Sequence, residues 1–264
     1  MTAAMSQPPW TPSFDFYFVQ MHGAPAVIAL DLGAAEAAPV PSHTRRLTLR
    51  VPMKHARPDG LRSQEEFEAL SAIEDRLAES LAYAVDAWMV GRVVFRGNTD
   101  LFFYLPDDDD NDDDERVDAA IESTIEGIRG EYEISRQVDD DEQWAFYFDF
   151  LWPDRAAMQS MGNRRVMHQL SEAGDDPSRE RVIDHFAFFE DAKTCARIAD
   201  GLRGLGFDVD PPTERDDGSW SLQFHRTDAL AEGRIDEVTS EILGVIGEDD
   251  GVYDGWGCEV VALN

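Results

Sequence analysis

The chain has 264 residues, 43% of them hydrophobic, and a formal net charge of −31. That apolar share argues against wholesale disorder, and the length favours two domains of ordinary size over one. Both halves are acidic, which argues against direct binding to nucleic acid, where phosphates must be neutralised, and against an anionic membrane surface.

Phe14–Met21 and Ala26–Leu32 read as strands joined by the turn His22-Gly23-Ala24-Pro25, with a third strand over Leu47–Pro52. Ser63-x-x-Glu66 is a capping-box signal, and Phe67, Leu70, Ile73, Leu77 and Leu81 follow near helical spacing. Strands over Ala87–Arg96 and Thr99–Leu105 flank Gly97-Asn98. An acidic run, Asp107–Glu115, leads into a second helix with Val117, Ile121, Ile125 and Ile128 on one face. Gln143–Leu151, aromatic and alternating, is expected to be a strand. After the opening hairpin the order is therefore βαββαβ.

Pro153 opens a weaker helical segment that ends at Gly174-Asp175-Asp176-Pro177. A strand over Arg181–Phe189 precedes a helix over Asp191–Arg203, with Ala192, Cys195, Ala199 and Leu202 inward. A hairpin of Gly206–Glu214 and Ser219–Arg226 turns at Asp217-Gly218. Asp228 is placed to cap a helix carrying Ile235, Val238, Ile242 and Val245, and Val252–Leu263 closes the sheet. The order is βαββαβ again. The expected fold class is α+β: two ferredoxin-like βαββαβ units, the first preceded by a β-hairpin, each with a four-stranded sheet and two helices on one face. The domains are placed at 10–153 and 158–264, with an internal duplication as the source of the shared order.

Chemistry is sparse. Cys195 and Cys258 are the only cysteines, so no disulfide framework or CxxC pair exists. Residues 1–12 lack a signal-peptide pattern and no run approaches membrane-helix length, so a cytoplasmic protein is expected. Asp107, Asp109, Asn111 and Asp118 fall at calcium-loop offsets, but Asp112 stands where that loop needs glycine. A solvated acidic loop is expected instead. The histidines His22, His43, His55, His168, His185 and His225 form no HExxH, and no Gly-x-Ser-x-Gly elbow or phosphate-binding glycine loop is present. Glu172 with Asp175 or Asp176 is explained by the turn before Pro177. Neither catalysis, cofactor nor metal is expected.

Tyr253-Asp254-Gly255-Trp256-Gly257 remains. It is either an edge or bulge motif that buries Trp256 against a helix, or an exposed site where Tyr253, Asp254 and Trp256 meet a partner. In the second case Asp254 can grip an arginine with both oxygens. The charges Asp107, Asp108, Asp109, Asp110, Asp112, Asp113 and Asp114 would steer a basic partner towards it.

That motif, with the strand Val182-Ile183-Asp184-His185-Phe186 and the stretch Leu205-Gly206-Phe207-Asp208-Val209, resembles the bacterial regulator of ribonuclease E activity, protein B family. The first half resembles an uncharacterised bacterial domain often fused to it, through Glu74-Asp75, Val90-Gly91-Arg92 and Phe102-Phe103-Tyr104. The resemblance implies an acidic ferredoxin-like protein that binds the cationic RNA-binding region of ribonuclease E and restrains RNA turnover, without catalysis or cofactor. It also implies a basic protein partner. The alternative is an immunity or antitoxin-type protein that neutralises a cationic nuclease.

Overall fold

A computed structural model of the chain describes residues 7–106, 112–126, 132–248 and 250–262, without the side chains of 112–114 and 232. It divides into two compact units, residues 1–153 and 154–264.

In the first unit, β1 (Phe14–Met21) and β2 (Ala24–Asp31) form a hairpin, followed by β3 (Arg45–Pro52), α1 (Phe67–Val85), β4 (Trp88–Phe95) and β5 (Asn98–Leu105). Next come α2 (Asp112–Ile125) and β6 (Ser135–Asp140). The sheet order is β1-β2-β4-β5-β3-β6, antiparallel throughout. Period-2 burial turns Leu47, Leu49, Leu101 and Phe103 towards one face, where Leu70, Leu77 and Leu81 of α1 and Val117 and Ile121 of α2 cover them. Ile128, assigned to the same helical stripe, lies outside the described residues.

The capping box forms by half. Ser63 Oγ accepts the Glu66 N–H, but the Glu66 carboxylate turns away to accept from Lys54 N, His55 N and the Tyr132 hydroxyl.

The expected strand over Gln143–Leu151 is a turn followed by helix from Ala145, ending in a π-helical turn, Tyr147–Leu151. The physical reason is twofold. Asp141 accepts the N–H groups of Ala145 and Phe146, capping a turn rather than a ladder. The buried residues are Trp144, Tyr147 and Leu151, spaced as a helix requires, and not the alternating set that suggested a strand. The sixth strand lies upstream, at the polar β6. The helical segment closes the second face of the sheet, stacking Trp144 on Tyr104 at 3.7 Å and setting Phe146 against Phe102.

In the second unit α3 (Arg155–Glu172) precedes β7 (Arg181–Phe189), α4 (Ala192–Gly204), β8 (Asp208–Val209), β9 (Thr213–Glu214), β10 (Trp220–Asp228), α5 (Arg234–Ile246) and β11 (Val252–Cys258). The order is β11-β7-β10-β8, antiparallel, with β9 also on β10. The chain is thus α+β in both units. Two details differ from expectation. The strand Gly206–Glu214 is split into β8 and β9, with Pro211 and Pro212, which lack the N–H a ladder needs, between them. Asp228 does not cap α5, whose N-cap is Gly233; it accepts from the Arg226 and Arg234 side chains instead.

Candidate functional site

β11 is the edge strand beside β7, and its pairing contains one extra residue. Tyr253 opposes Ala187 and Gly255 opposes Phe186, leaving Asp254 as the bulged residue. Period 2 would put Tyr253 and Trp256 on opposite faces. The bulge restores them to the same, buried face. Gly255 has φ +120, a conformation that disfavours any side chain.

The two rings are anchored differently. Trp256 packs with Leu170, Ile183, Leu230 and Ile235, and its Nε1 donates to Asn163 Oδ1 at 2.8 Å. Asn163, on α3, in turn donates to Asp236 Oδ1 at 2.7 Å and Thr239 Oγ1 at 2.9 Å on α5. One buried amide therefore ties α3, α5 and β11 together, and the indole, a donor only, dictates its orientation. The Tyr253 hydroxyl meets His185 Nδ1 at 2.7 Å. Burial, then the nearby Arg226 charge, lower the His185 pKa to about 3, so the ring is neutral. Burial likewise pushes the Tyr253 hydroxyl well above its ordinary value.

The turn before β7 is a second anchor. The Asp175 carboxylate pairs with Arg181, both nearly inaccessible, and accepts the Val261 N–H at 2.7 Å. Arg181 also donates to the Asp176 and Arg179 carbonyls. Asp175 is thereby committed to joining the turn to the chain beyond β11.

With Tyr253 and Trp256 buried, the accessible surface is the opposite face of the sheet. The helices cover the inner face, where Ala187, Leu222, Phe224 and Tyr253 meet Ile198, Leu202, Val238 and Ile242. The outer face carries Val182 (50% exposed), Phe186 (38%) and Val252 (63%), with Asp184 between Val182 and Phe186 along β7. Gly255 and Gly257 lie across from Phe186 and Asp184, and nothing stands within 4 Å of where a Cβ of either would be. Arg215 sits 4.6 Å over the Phe188 ring. A 160 Å³ cavity beside it is lined by Phe186, Phe188, Asp210, Pro211, Thr213 and Gln223, among others. Chemically this face offers flat apolar surface between carboxylates, which suits a cationic, partly apolar segment.

Of the expected contact residues, the structure leaves Asp254 exposed and puts Tyr253 and Trp256 in the interior. Asp107, Asp108, Asp109 and Asp110 lie outside the described residues, as do the side chains of Asp112, Asp113 and Asp114. Sequence reasoning missed Val182, Phe186 and Val252 as surface residues. The available signal was in β7, where apolar residues occupy both parities of the strand. Among the described residues no group of three or more His, Cys, Asp and Glu is placed to hold a metal ion, and no helix is long and apolar enough to cross a membrane.

Residues 13–152 match the model of a family of unknown function, DUF695, and the chain belongs to that family. Residues 160–258 match the model for regulator of ribonuclease activity B. Two curated relatives named regulator of ribonuclease activity B, from Escherichia coli and Shigella flexneri, are each 28% identical over 109 residues, covering 40% of this chain and 79% of theirs. A crystal structure of an unknown protein from Galdieria sulphuraria aligns over 82% of this chain and 99% of its own, at 11% identity and a TM-score of only 0.22.

Proposed function

We propose that this DUF695 family member is a non-catalytic regulator of a ribonuclease, acting in the cytoplasm through its second unit. The partner is ribonuclease E, and the contact is a cationic segment of that enzyme laid on the outer face of the β11-β7-β10 sheet. The observation that supports this reading is the uncovered face itself: Val182, Phe186 and Val252 exposed around Asp184, beside glycines that leave the surface flat. An arginine-rich segment that binds RNA carries the complementary charge, so occupying it displaces RNA without any chemistry on the RNA. Asp254 at the bulge borders the face, and the Asp107–Asp114 run contributes long-range attraction. No cofactor is needed.

The test is cleavage of a fluorogenic RNA by purified ribonuclease E in the presence of the full chain. Inhibition that weakens as salt rises, and that Val252→Ser and Asp184→Asn on the same face weaken with little change in the thermal midpoint, is the expected result. Undiminished cleavage at saturating protein and low salt would overturn the proposal.

A further inference from the structure

Phe188, near the end of β7, lines two cavities on the second unit. The larger, of about 470 Å³, has Arg215 in its wall, and that guanidinium lies 4.6 Å over the Phe188 ring. The smaller, of about 160 Å³, opens on the outer face of the sheet. Phe186 and Phe188 on β7 form its apolar side, with Gln223 and Ser221 opposite them on β10. Its lining contains one carboxylate, Asp210, and no lysine, arginine or histidine.

The loop between β8 and β9 supplies the remaining wall through Asp210, Pro211 and Thr213. The Asp210 N–H is committed to the Gln223 carbonyl at 3.0 Å. Pro211 and Pro212 have no N–H. The backbone from Asp210 to Pro212 therefore has oxygens to offer a ligand and no hydrogen. The Asp210 side chain is exposed and enters no ion pair among the described residues. Two aromatic rings beside an acceptor-only wall call for a ligand group that is flat, cationic and rich in donors.

We infer that the 160 Å³ cavity is an arginine subsite, which takes one arginine side chain of a partner protein over Phe186 and Phe188 and pairs it with Asp210. A guanidinium is planar, stacks on aromatic faces and carries five N–H donors, whereas the lysine ammonium is compact and strongly hydrated. Arg215 already sets this chemistry on the same ring, from the neighbouring cavity. Charge selects a basic segment over a second copy, because two chains at −31 repel one another. The inference rests on the outer face being the contact for a cationic segment, and adds to it a preference for arginine over lysine at a defined position.

The probes are two peptides of about ten residues, long enough to lie along one strand, with arginine or lysine at alternate positions among serine and valine. Each is titrated calorimetrically into the full chain at low salt, with amide chemical shifts followed in parallel. The arginine peptide should bind about fivefold more tightly than the lysine peptide of equal charge. The largest shifts should fall on Phe188, Thr213 and Gln223. Phe188→Leu keeps the net charge and removes the ring; Asp210→Asn removes the carboxylate. Each should narrow the preference, Asp210→Asn with an unchanged thermal midpoint. Equal affinities for the two peptides, no binding of either, a preference retained in both variants, or shifts confined to other surfaces would overturn the inference. Cleavage by ribonuclease E, measured alongside, keeps the two proposals apart. Arginine preference without inhibition removes the ribonuclease partner and leaves the subsite; inhibition with equal peptide affinities removes the subsite and leaves the partner.

Discussion

Trp256→Ala separates a core role for this ring from a contact role. The ring is 8% exposed, surrounded by Leu170, Ile183, Leu230 and Ile235, and hydrogen-bonded to Asn163. Truncating a buried tryptophan costs about 3–5 kcal/mol in lost transfer energy and residual cavity. Removing the donor from a buried amide oxygen adds about 1 kcal/mol. For a unit near 110 residues, at about 4 °C per kcal/mol, the total of about 4–6 kcal/mol lowers the midpoint by roughly 15–25 °C. Trp256→Phe keeps most of the packing and loses the donor, so about 1–3 kcal/mol is expected. Urea unfolding followed by circular dichroism, with the thermal midpoint as a second readout, measures both. If Trp256→Ala melted within about 2 °C of the parent while losing its partner, the argument from burial would be wrong.

The two glycines around that tryptophan should behave differently. Gly255→Ala forces a Cβ onto φ +120 and should cost about 1–3 kcal/mol, read as a lower midpoint; Gly257→Ala meets open space without positive φ and should be nearly neutral to stability. Glu74→Gln leaves Arg62 and Arg92 facing each other in a largely buried site and should cost about 3 kcal/mol in thermal unfolding. His185 is neutral in the fold with a pKa near 3, against an ordinary 6.5. The unfolded chain therefore binds the extra proton first, and stability present above about pH 6.5 declines as pH falls towards 3, by up to about 1.4 kcal/mol per pH unit. In His185→Gln, which can still reach Tyr253, urea midpoints should fall less steeply over that window.

Much of this arrangement was legible in the chain because burial imposes periodicity. β7 spans the expected Arg181–Phe189, and α1 buries Leu70, Ile73, Leu77 and Leu81 from the expected stripe. The failures occurred where a side chain outbid the local pattern. Asp141 captured two backbone N–H groups and converted an aromatic alternation into a helix. β6, Ser-Arg-Gln-Val-Asp-Asp, was invisible because an edge strand with little buried surface needs no apolar period; it is held by pairing to β3 and by Arg46–Asp139 and Arg136–Asp118. The bulge at Asp254 was beyond pattern reading in another way. Spacing alone separates Tyr253 from Trp256, and only the register with β7 shows that one unpaired residue reunites them.

The strand orders carry the last step. Setting the β1–β2 hairpin aside, the first unit runs β6-β3-β5-β4 and the second β11-β7-β10-β8, the same order relative to chain position. In both, helices cover one face. The first unit seals its other face with Trp144, Phe146, Tyr147 and Leu151 over Phe102 and Tyr104. The second has Val182, Phe186 and Val252 accessible at the equivalent place. Burying another ring is worth about 1.5–3 kcal/mol, so an unsealed aromatic face forgoes stability that the neighbouring unit takes up. On one strand order, that contrast leaves the second unit's outer face without the helical cover that Trp144, Tyr147 and Leu151 give the first, which is the feature the proposed ribonuclease contact relies on. The accessible large apolar residues of the first unit are scattered instead over the hairpin (Phe14, Phe18), α1 (Phe67, Tyr83) and the helical segment (Phe148, Phe150).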